Sequence, residues 1–174
     1  KHSIAPRYFT ETNGFDVQYQ GEIRNFKSKY NYALGAYYSS PGHTRNFFGF
    51  GNETANIEEN SWNYYRTRLR EWQGEAGFVR ESPYGHYFRY VAKFEAVKVM
   101  ETGNRFLTDE FSAEQDLFKS KYFAGLEGSY KYESYDIRLN PKSGLRVDIT
   151  VGGKFNVDDS DRGYLYLHPY LEFF

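Results

Sequence analysis

The sequence predicts an all-β protein, and more specifically an antiparallel, up-and-down transmembrane β-barrel. Apolar and polar residues alternate with a period of two from end to end, which is typical of strands with two different faces. About eight runs have strand length, and short connections alternate with long polar ones, as in outer-membrane barrels. We expect residues 1–174 to form a single barrel domain, or a fragment of a larger barrel of about sixteen strands.

Composition excludes several classes of protein. The chain has 174 residues with 22 Lys and Arg against 23 Asp and Glu, so it lacks the basic surplus of a nucleic-acid-binding protein. It has no cysteine, which excludes disulfides, thiolate metal sites and cysteine nucleophiles. No stretch approaches the roughly 18 to 20 apolar residues of a membrane-spanning helix. Membrane barrel strands alternate in polarity, so the polar average hydropathy is compatible with them.

The first half of the chain contains four predicted strands. A partial strand covers 4–9, and the run Gly14–Ile23 puts Phe15, Val17 and Tyr19 opposite acidic and amide residues. A third run, 30–39, forms a hairpin with the second across residues 24–29. The fourth strand, 64–80, is about 15 residues or more, longer than the usual 5 or 6 of globular proteins.

The second half repeats the pattern in four further runs. They lie at about 88–96, 122–133, 145–155 and 165–173, and each has an apolar side and a charged or hydroxyl side. The connections at 24–29 and 82–85 are short, the one at 134–143 is intermediate, and those at about 39–63 and 100–120 are long and polar. Aromatic residues at strand ends suit interfacial girdles: Tyr37, Tyr38, Tyr64, Tyr65, Tyr87, Phe88, Tyr130 and Tyr132. Cross-strand pairs in a soluble barrel are the alternative explanation.

The alternation assigns side chains to two faces of the predicted barrel. A charge network is expected in the lumen, made of Arg66, Arg68, Arg70, Arg89, Lys93, Glu95, Glu127, Lys131, Arg146 and Asp148. We expect the lipid-facing residues to be Phe15, Val17, Tyr19, Tyr32, Leu34, Leu69, Phe88, Tyr90, Phe94, Leu126, Tyr130, Val147, Ile149, Val151, Leu165, Leu167 and Leu171. An anion or substrate site at the three arginines of the fourth strand is the alternative to a balanced polar face.

No motif for catalysis or cofactor binding is found. The four histidines show no metal-ligand spacing, and the acidic run 158–161 lacks the glycine and closing glutamate of a calcium loop. Gly49-Phe50-Gly51 has Thr54 in place of the third glycine of a dinucleotide loop. We therefore predict no catalytic residue, no cofactor and no metal in this segment, and no enzyme activity of its own.

Two runs of sequence carry a resemblance to a known family. Residues 46–54, Asn-Phe-Phe-Gly-Phe-Gly-Asn-Glu-Thr, followed by Tyr64-Tyr65-Arg66, resemble a segment of the bacterial surface-antigen barrels of the outer-membrane-protein assembly factor superfamily. Residues 140–146 are similar to the Asn-Pro-x-x-Gly turn that leads into a barrel strand there. The closest likeness is to barrels that follow a calcineurin-like metallophosphoesterase domain.

The resemblance implies a barrel of about sixteen strands in the bacterial outer membrane, with outer-membrane lipid and other barrel segments or complex subunits as partners. It implies a membrane anchor or a component of an outer-membrane assembly or secretion machine. The phosphoesterase motifs themselves are not found, so that activity does not carry over to these residues. Two alternatives stay open: a soluble or periplasmic ligand-binding barrel, and the anchor of a metallophosphoesterase whose catalytic domain lies elsewhere.

Overall fold

A computed structural model describes residues 1–49, 61–111, 116–136, 142–159 and 162–174. The parts of the resemblance at 50–54 and 140–141, and the end of the acidic run at 160–161, lie outside these residues. The described chain is all-β with one short helix, α1 (Phe106–Glu110), between β5 and β6. The strands are β1 (His2–Phe9), β2 (Gly14–Ile23), β3 (Asn31–Asn46), β4 (Arg66–Glu81), β5 (His86–Met100), β6 (Lys121–Tyr135), β7 (Gly144–Asn156) and β8 (Gly163–Phe173).

The eight strands form one antiparallel sheet in chain order, β1 beside β2 and so on to β8. The all-β, antiparallel prediction is confirmed. The sheet is open: β1 pairs with β2 and β8 pairs with β7, and the two outer strands do not pair with each other. The strands therefore have the order of an up-and-down barrel but form an open sheet.

The two longest connections, 47–65 and 101–120, leave the sheet at the same end, which we call the loop end. The short connections 24–30 and 82–85 lie at the opposite end, the turn end. The predicted loop at 39–63 begins later than expected. The pairing of β3 with β4 shifts register between Ser39 and His43, and the strand then continues to Asn46. Pro41 and Gly42 are typical of a loop, yet here they lie within β3, where the irregular pairing accommodates the two residues.

The sheet is curved, and the contacts across it define its concave face. The Tyr87 hydroxyl of β5 donates a hydrogen bond of 3.4 Å to Glu22 of β2, three strands away. Lys154 of β7 likewise reaches Glu95 of β5, two strands away. Since successive side chains alternate between faces, every second residue shares the concave face with these groups and the others lie on the convex face.

Both outer strands point unpaired backbone groups away from the sheet. Hydrogen bonds between Lys1 and Glu22, and from Phe174 to Gly144, fix which residues bond inward. By the antiparallel repeat, the even residues of β1 and the odd residues of β8 direct their N–H and C=O groups outward. Each set contains one proline, Pro6 in β1 and Pro169 in β8. Proline has no N–H to lose, so an outward position on an edge strand is where a sheet tolerates it.

A small apolar cluster lies on the concave face where β3, β4 and β5 lie side by side. It consists of Ala33, Val79 and Val91, exposed by 6%, 2% and 3%, with Tyr87 packed against it. Gly77 lies directly opposite Ala33 and Val91 in the sheet. A Cβ atom at Gly77 would overlap the carbonyl oxygen of Tyr90 and lie 2.7 Å from Val91 Cα. The close approach of two backbones therefore requires glycine here.

We expect Gly77→Ala to lower the free energy of unfolding by about 1–3 kcal/mol, since β4 or β5 must shift to admit the methyl group. Denaturant unfolding of the folded protein measures this. Gly103→Ala is the matched control, because nothing lies within 4 Å of its added Cβ, and its effect should stay within about 0.5 kcal/mol. Equal losses in the two variants would contradict the close-approach explanation.

Candidate functional site

The centre of the concave face is a network of ion pairs. Arg89 of β5 pairs with Glu75 of β4 on one side and, at 3.3 Å, with Glu127 of β6 on the other. Glu127 also accepts a 2.6 Å hydrogen bond from Lys93 and a 2.7 Å hydrogen bond from the Tyr166 hydroxyl of β8. The Glu127 carboxylate thus contacts three side chains from two other strands, and it is only 12% exposed.

Further ion pairs extend the network toward both sides of the sheet. Lys154 lies 2.5 Å from Glu95, and Lys131 lies 3.0 Å from Asp148. At the β1–β2 pair, Arg7 contacts the fully buried Asp16 at 2.9 Å. Acids and bases match one to one in these contacts, so the face has no large surplus of either sign. It borders a cavity of about 1560 Å³ that is open to solvent. The arrangement is suited to a hydrated, charge-balanced wall.

The convex face is apolar and exposed. Large hydrophobic side chains on every strand reach solvent there, including Leu126 in the middle of the sheet at 70% and Leu165 on β8 at 89%. Others are Ile4, Phe15, Val17, Tyr32, Leu34, Phe78, Tyr90, Phe94, Val151, Leu167, Leu171 and Phe173. Continuous exposed apolar surface on this scale marks a face that is covered by another molecule or by lipid.

Aromatic pairs border the apolar surface at both ends. Toward the turn end, the rings of Tyr32 and Phe78 lie 5.7 Å apart, and those of Phe88 and Tyr130 lie 5.0 Å apart. Toward the loop end, three rings form a chain along the convex face: Trp72 lies 5.8 Å from Phe94, which lies 6.1 Å from Tyr122. Tyrosine and tryptophan prefer the level where hydrocarbon meets water, and two such belts are typical of membrane barrels.

Charge on the convex face is of one sign. Among the described strand side chains that share this face, none is Asp or Glu, whereas the concave face carries the acids of all the ion pairs above. The convex cations are Arg66, Arg68, Arg70 and Lys98 near the loop end, and Arg80 near the turn end. Between Arg70 and Arg80 the face of β4 holds only Trp72, Gly74, Ala76 and Phe78.

The structure separates the predicted lumen network into two groups. Arg89, Lys93, Glu95, Glu127, Lys131, Arg146 and Asp148 share the concave face, and all seven make ion pairs there. Arg66, Arg68 and Arg70 do not join them. The continuous pairing of β4 with β5 puts these three arginines on the convex face, on the same side as Trp72. They therefore do not neutralise Glu75, Glu95, Glu127 or Asp148, and the predicted grouping is corrected.

The same register of β4 places one predicted lipid-facing residue, Leu69, on the opposite face from the one expected. Leu69 shares the concave face and is 9% exposed, because it alternates with the three arginines. The other sixteen predicted lipid-facing residues share the convex face by register: Phe15, Val17, Tyr19, Tyr32, Leu34, Phe88, Tyr90, Phe94, Leu126, Tyr130, Val147, Ile149, Val151, Leu165, Leu167 and Leu171. Of the predicted girdle residues, Tyr37 and Tyr87 lie on the concave face, whereas Tyr38 and Tyr132 lie on the convex one.

Two long connections pack together at the loop end, which the sequence analysis did not predict. Phe106 of α1 contacts Phe47, Tyr65 and Phe111 at centroid distances of 5.5 to 6.2 Å. The Phe106 amide donates to the carbonyl of Tyr64, and Tyr65 is 2% exposed. Burial and the nearby Asp109 raise the pKa of Tyr64. The density of aromatic residues in 47–65 and 106–111 was the available signal for this cluster.

Comparisons with known proteins leave the chain without an assigned family. No family model, no curated protein and no solved structure matches it. Within the described residues, no group of three or more His, Cys, Asp or Glu side chains could hold a metal ion. No helix in the same part of the chain is long and apolar enough to cross a membrane.

We expect Glu127→Gln to lower the free energy of unfolding by about 2 kcal/mol, because Lys93, whose side chain is only 23% exposed, then loses its carboxylate partner. Denaturant titration measures the loss. Glu133→Gln is the matched control: Glu133 and Arg146 are about two-fifths exposed, at 38% and 40%, so its effect should stay below about 1 kcal/mol. A loss at Glu133 as large as that at Glu127 would show that the central network has no special weight.

Proposed function

We propose that this chain is part of the wall of a bacterial outer-membrane β-barrel, acting as a membrane anchor or as a component of an outer-membrane assembly or secretion machine. The observation that carries the proposal is the distribution of side chains on the two faces. Among the described strand residues, the exposed convex face carries no acidic side chain, and the concave face carries paired charges. A membrane barrel needs this arrangement, because its outside contacts hydrocarbon and its inside contacts water.

The dimensions of the apolar face suit a bilayer. Arg70 and Arg80 bracket it on β4, and their ten-residue separation corresponds to about 33 Å along the strand. A strand tilted by about 40° spans about 25 Å of membrane with that length, which is the height of the apolar band in outer-membrane barrels. The aromatic pairs lie just inside these two cations.

A soluble ligand-binding barrel would have the opposite distribution, with an apolar interior that holds the ligand and a polar exterior. The cavity here is lined by charged and hydroxyl side chains such as Glu75, Arg89, Lys131 and Thr150. The apolar residues lie on the outside instead. The membrane function is therefore favoured over the soluble one.

Further strands are part of the proposal. In hydrocarbon every backbone N–H and C=O needs a partner, so the outward groups of β1 and β8 must be paired. An eight-stranded barrel has an interior that side chains just fill. The eight strands form an open sheet whose outer strands do not pair with each other, which favours a wider ring, and about sixteen strands is the number that the family resemblance implies. The resemblance also supports the assembly or secretion role.

We expect Leu126→Arg to lower the stability of the protein folded into phosphatidylcholine vesicles by about 2–4 kcal/mol, since the charge would enter the middle of the hydrocarbon. Unfolding by urea in vesicles measures the change. Gln73→Arg, in the middle of β4 but on the concave face and opposite Glu95, should cost less than about 1 kcal/mol. For a soluble protein, a charge at the 70% exposed Leu126 would be harmless, so an unaffected Leu126→Arg variant would refute the membrane assignment.

The ring size is tested by the mass of the native species that contains this chain, extracted from membranes with detergent. A sixteen-stranded ring requires a species well above the 20.5 kDa of these residues, whether the additional strands belong to the same polypeptide or to another. A stable, folded species of 20.5 kDa would mean that eight strands suffice, and the wider ring would be abandoned.

A further inference from the structure

Four cations form a patch at the loop end of the convex face. Arg66, Arg68 and Arg70 follow one another on β4, and Lys98 lies on β5 directly opposite Arg70. We call these four residues the cationic patch. Like charges opposite each other on neighbouring strands destabilise a sheet. Within the described residues, no carboxylate makes an ion pair with any of the four, and Arg66 donates a 3.3 Å hydrogen bond to Asn63. Arg70 is exposed and the other three are half-buried, so the patch keeps four positive charges without an acidic partner.

The cationic patch adjoins the aromatic belt. Trp72 is the next residue of β4 on the same face, and its ring packs edge-on against Phe94. Trp72, Phe94 and Tyr122 are each about two-fifths exposed, at 43%, 38% and 39%. Positive charge thus lies on one side of this belt and apolar surface on the other. A molecule that covers both must be an amphiphile with an anionic head.

We propose that the cationic patch binds the phosphate groups of a lipid whose acyl chains lie on the apolar convex face. The inference rests on the membrane location proposed above. Arginine is suited to this role because its planar guanidinium donates two parallel hydrogen bonds to a phosphate. Basic groups at the membrane surface attract anionic lipid headgroups in the same way.

A lipid is the occupant that uses both parts of the surface. A free phosphate or a soluble anion would contact the four cations but leave Trp72, Phe94 and Tyr122 uncovered. A lipid phosphate contacts the cations while its chains cover the rings, so the two contributions add. The position of Arg70, two residues beyond Trp72 on the strand, puts the charge about 7 Å past the ring along β4. This separation would put the Trp72 ring beside the acyl chains and the Arg70 charge beside the headgroup of the same lipid.

The test compares binding of phosphatidylglycerol with binding of phosphatidylcholine. Wild-type protein is folded into vesicles of phosphatidylcholine alone, released in mild detergent and titrated with either lipid, and bound lipid is counted by native mass spectrometry. We expect wild type to prefer phosphatidylglycerol. The triple variant Arg66→Gln, Arg68→Gln, Arg70→Gln should bind it about 100-fold more weakly, at about fivefold per charge removed. Added salt should weaken wild-type binding and leave the triple variant little changed.

The matched control removes three other cations from the same end of the sheet. Arg45→Gln, Lys119→Gln and Arg162→Gln change the net charge equally, yet Arg45 shares the concave face with its partner Glu71 and the other two lie in connections. This variant should keep wild-type affinity for phosphatidylglycerol. If the triple variant does not fold, Lys98→Gln alone should lower the affinity about fivefold.

The outcomes are distinguishable. The test uses the whole native species that contains this chain, and its failure to enter phosphatidylcholine vesicles overturns the membrane location itself. A protein that enters them, but loses lipid binding equally in the triple variant and in its control, refutes the cationic patch as the site. Inorganic phosphate that displaces phosphatidylglycerol at equal concentration would show a soluble-anion site, and the lipid assignment would be wrong.

Discussion

The antiparallel pairing of eight consecutive strands, each with the next, is the constraint on which the rest of the structure depends. Because side chains alternate along each strand, this register sends every second residue of the whole sheet to the same face. A one-residue slip between two strands would bring acidic groups such as Glu127 to the convex face and rings such as Tyr90 to the ion-pair network. The separation of polarity between faces is therefore a collective property of the sheet.

In the proposed membrane location the two faces answer one requirement, since charge and backbone polarity must be satisfied away from hydrocarbon. The concave face satisfies it with ion pairs between neighbouring and next-neighbouring strands, centred on Arg89 and Glu127. The convex face satisfies it by excluding acids and by confining cations to its two ends. Within the described strands, the outward backbone groups of β1 and β8 have no partner in the sheet, and in hydrocarbon they would need additional strands.

The loop end differs from the rest of the molecule in how it buries apolar surface. Tyr65 and Leu69 share the concave face and both are buried, and Tyr65 packs into an aromatic cluster in which the rings of Phe48 and Phe106 lie 4.9 and 5.5 Å away. β4 changes its pattern along its length. Up to Arg70 the arginines lie on the convex face and Leu69 on the concave face, whereas beyond Arg70 the acidic residues lie on the concave face and most of the apolar residues on the convex face. The convex arginines lie outside the apolar band, where a phosphate-rich layer can receive them.

The sequence by itself determined the all-β class, the strand order, and the faces of strands whose polarity alternates consistently, such as β6 and β7. A period of two is a local property, so it can be read without knowing the neighbours. Only the tertiary structure decided the face of Arg66, Arg68 and Arg70, the continuation of β3 to Asn46, and the packing of the long connections. These depend on cross-strand register and on contacts between residues distant in the chain, and local alternation carries no information about either.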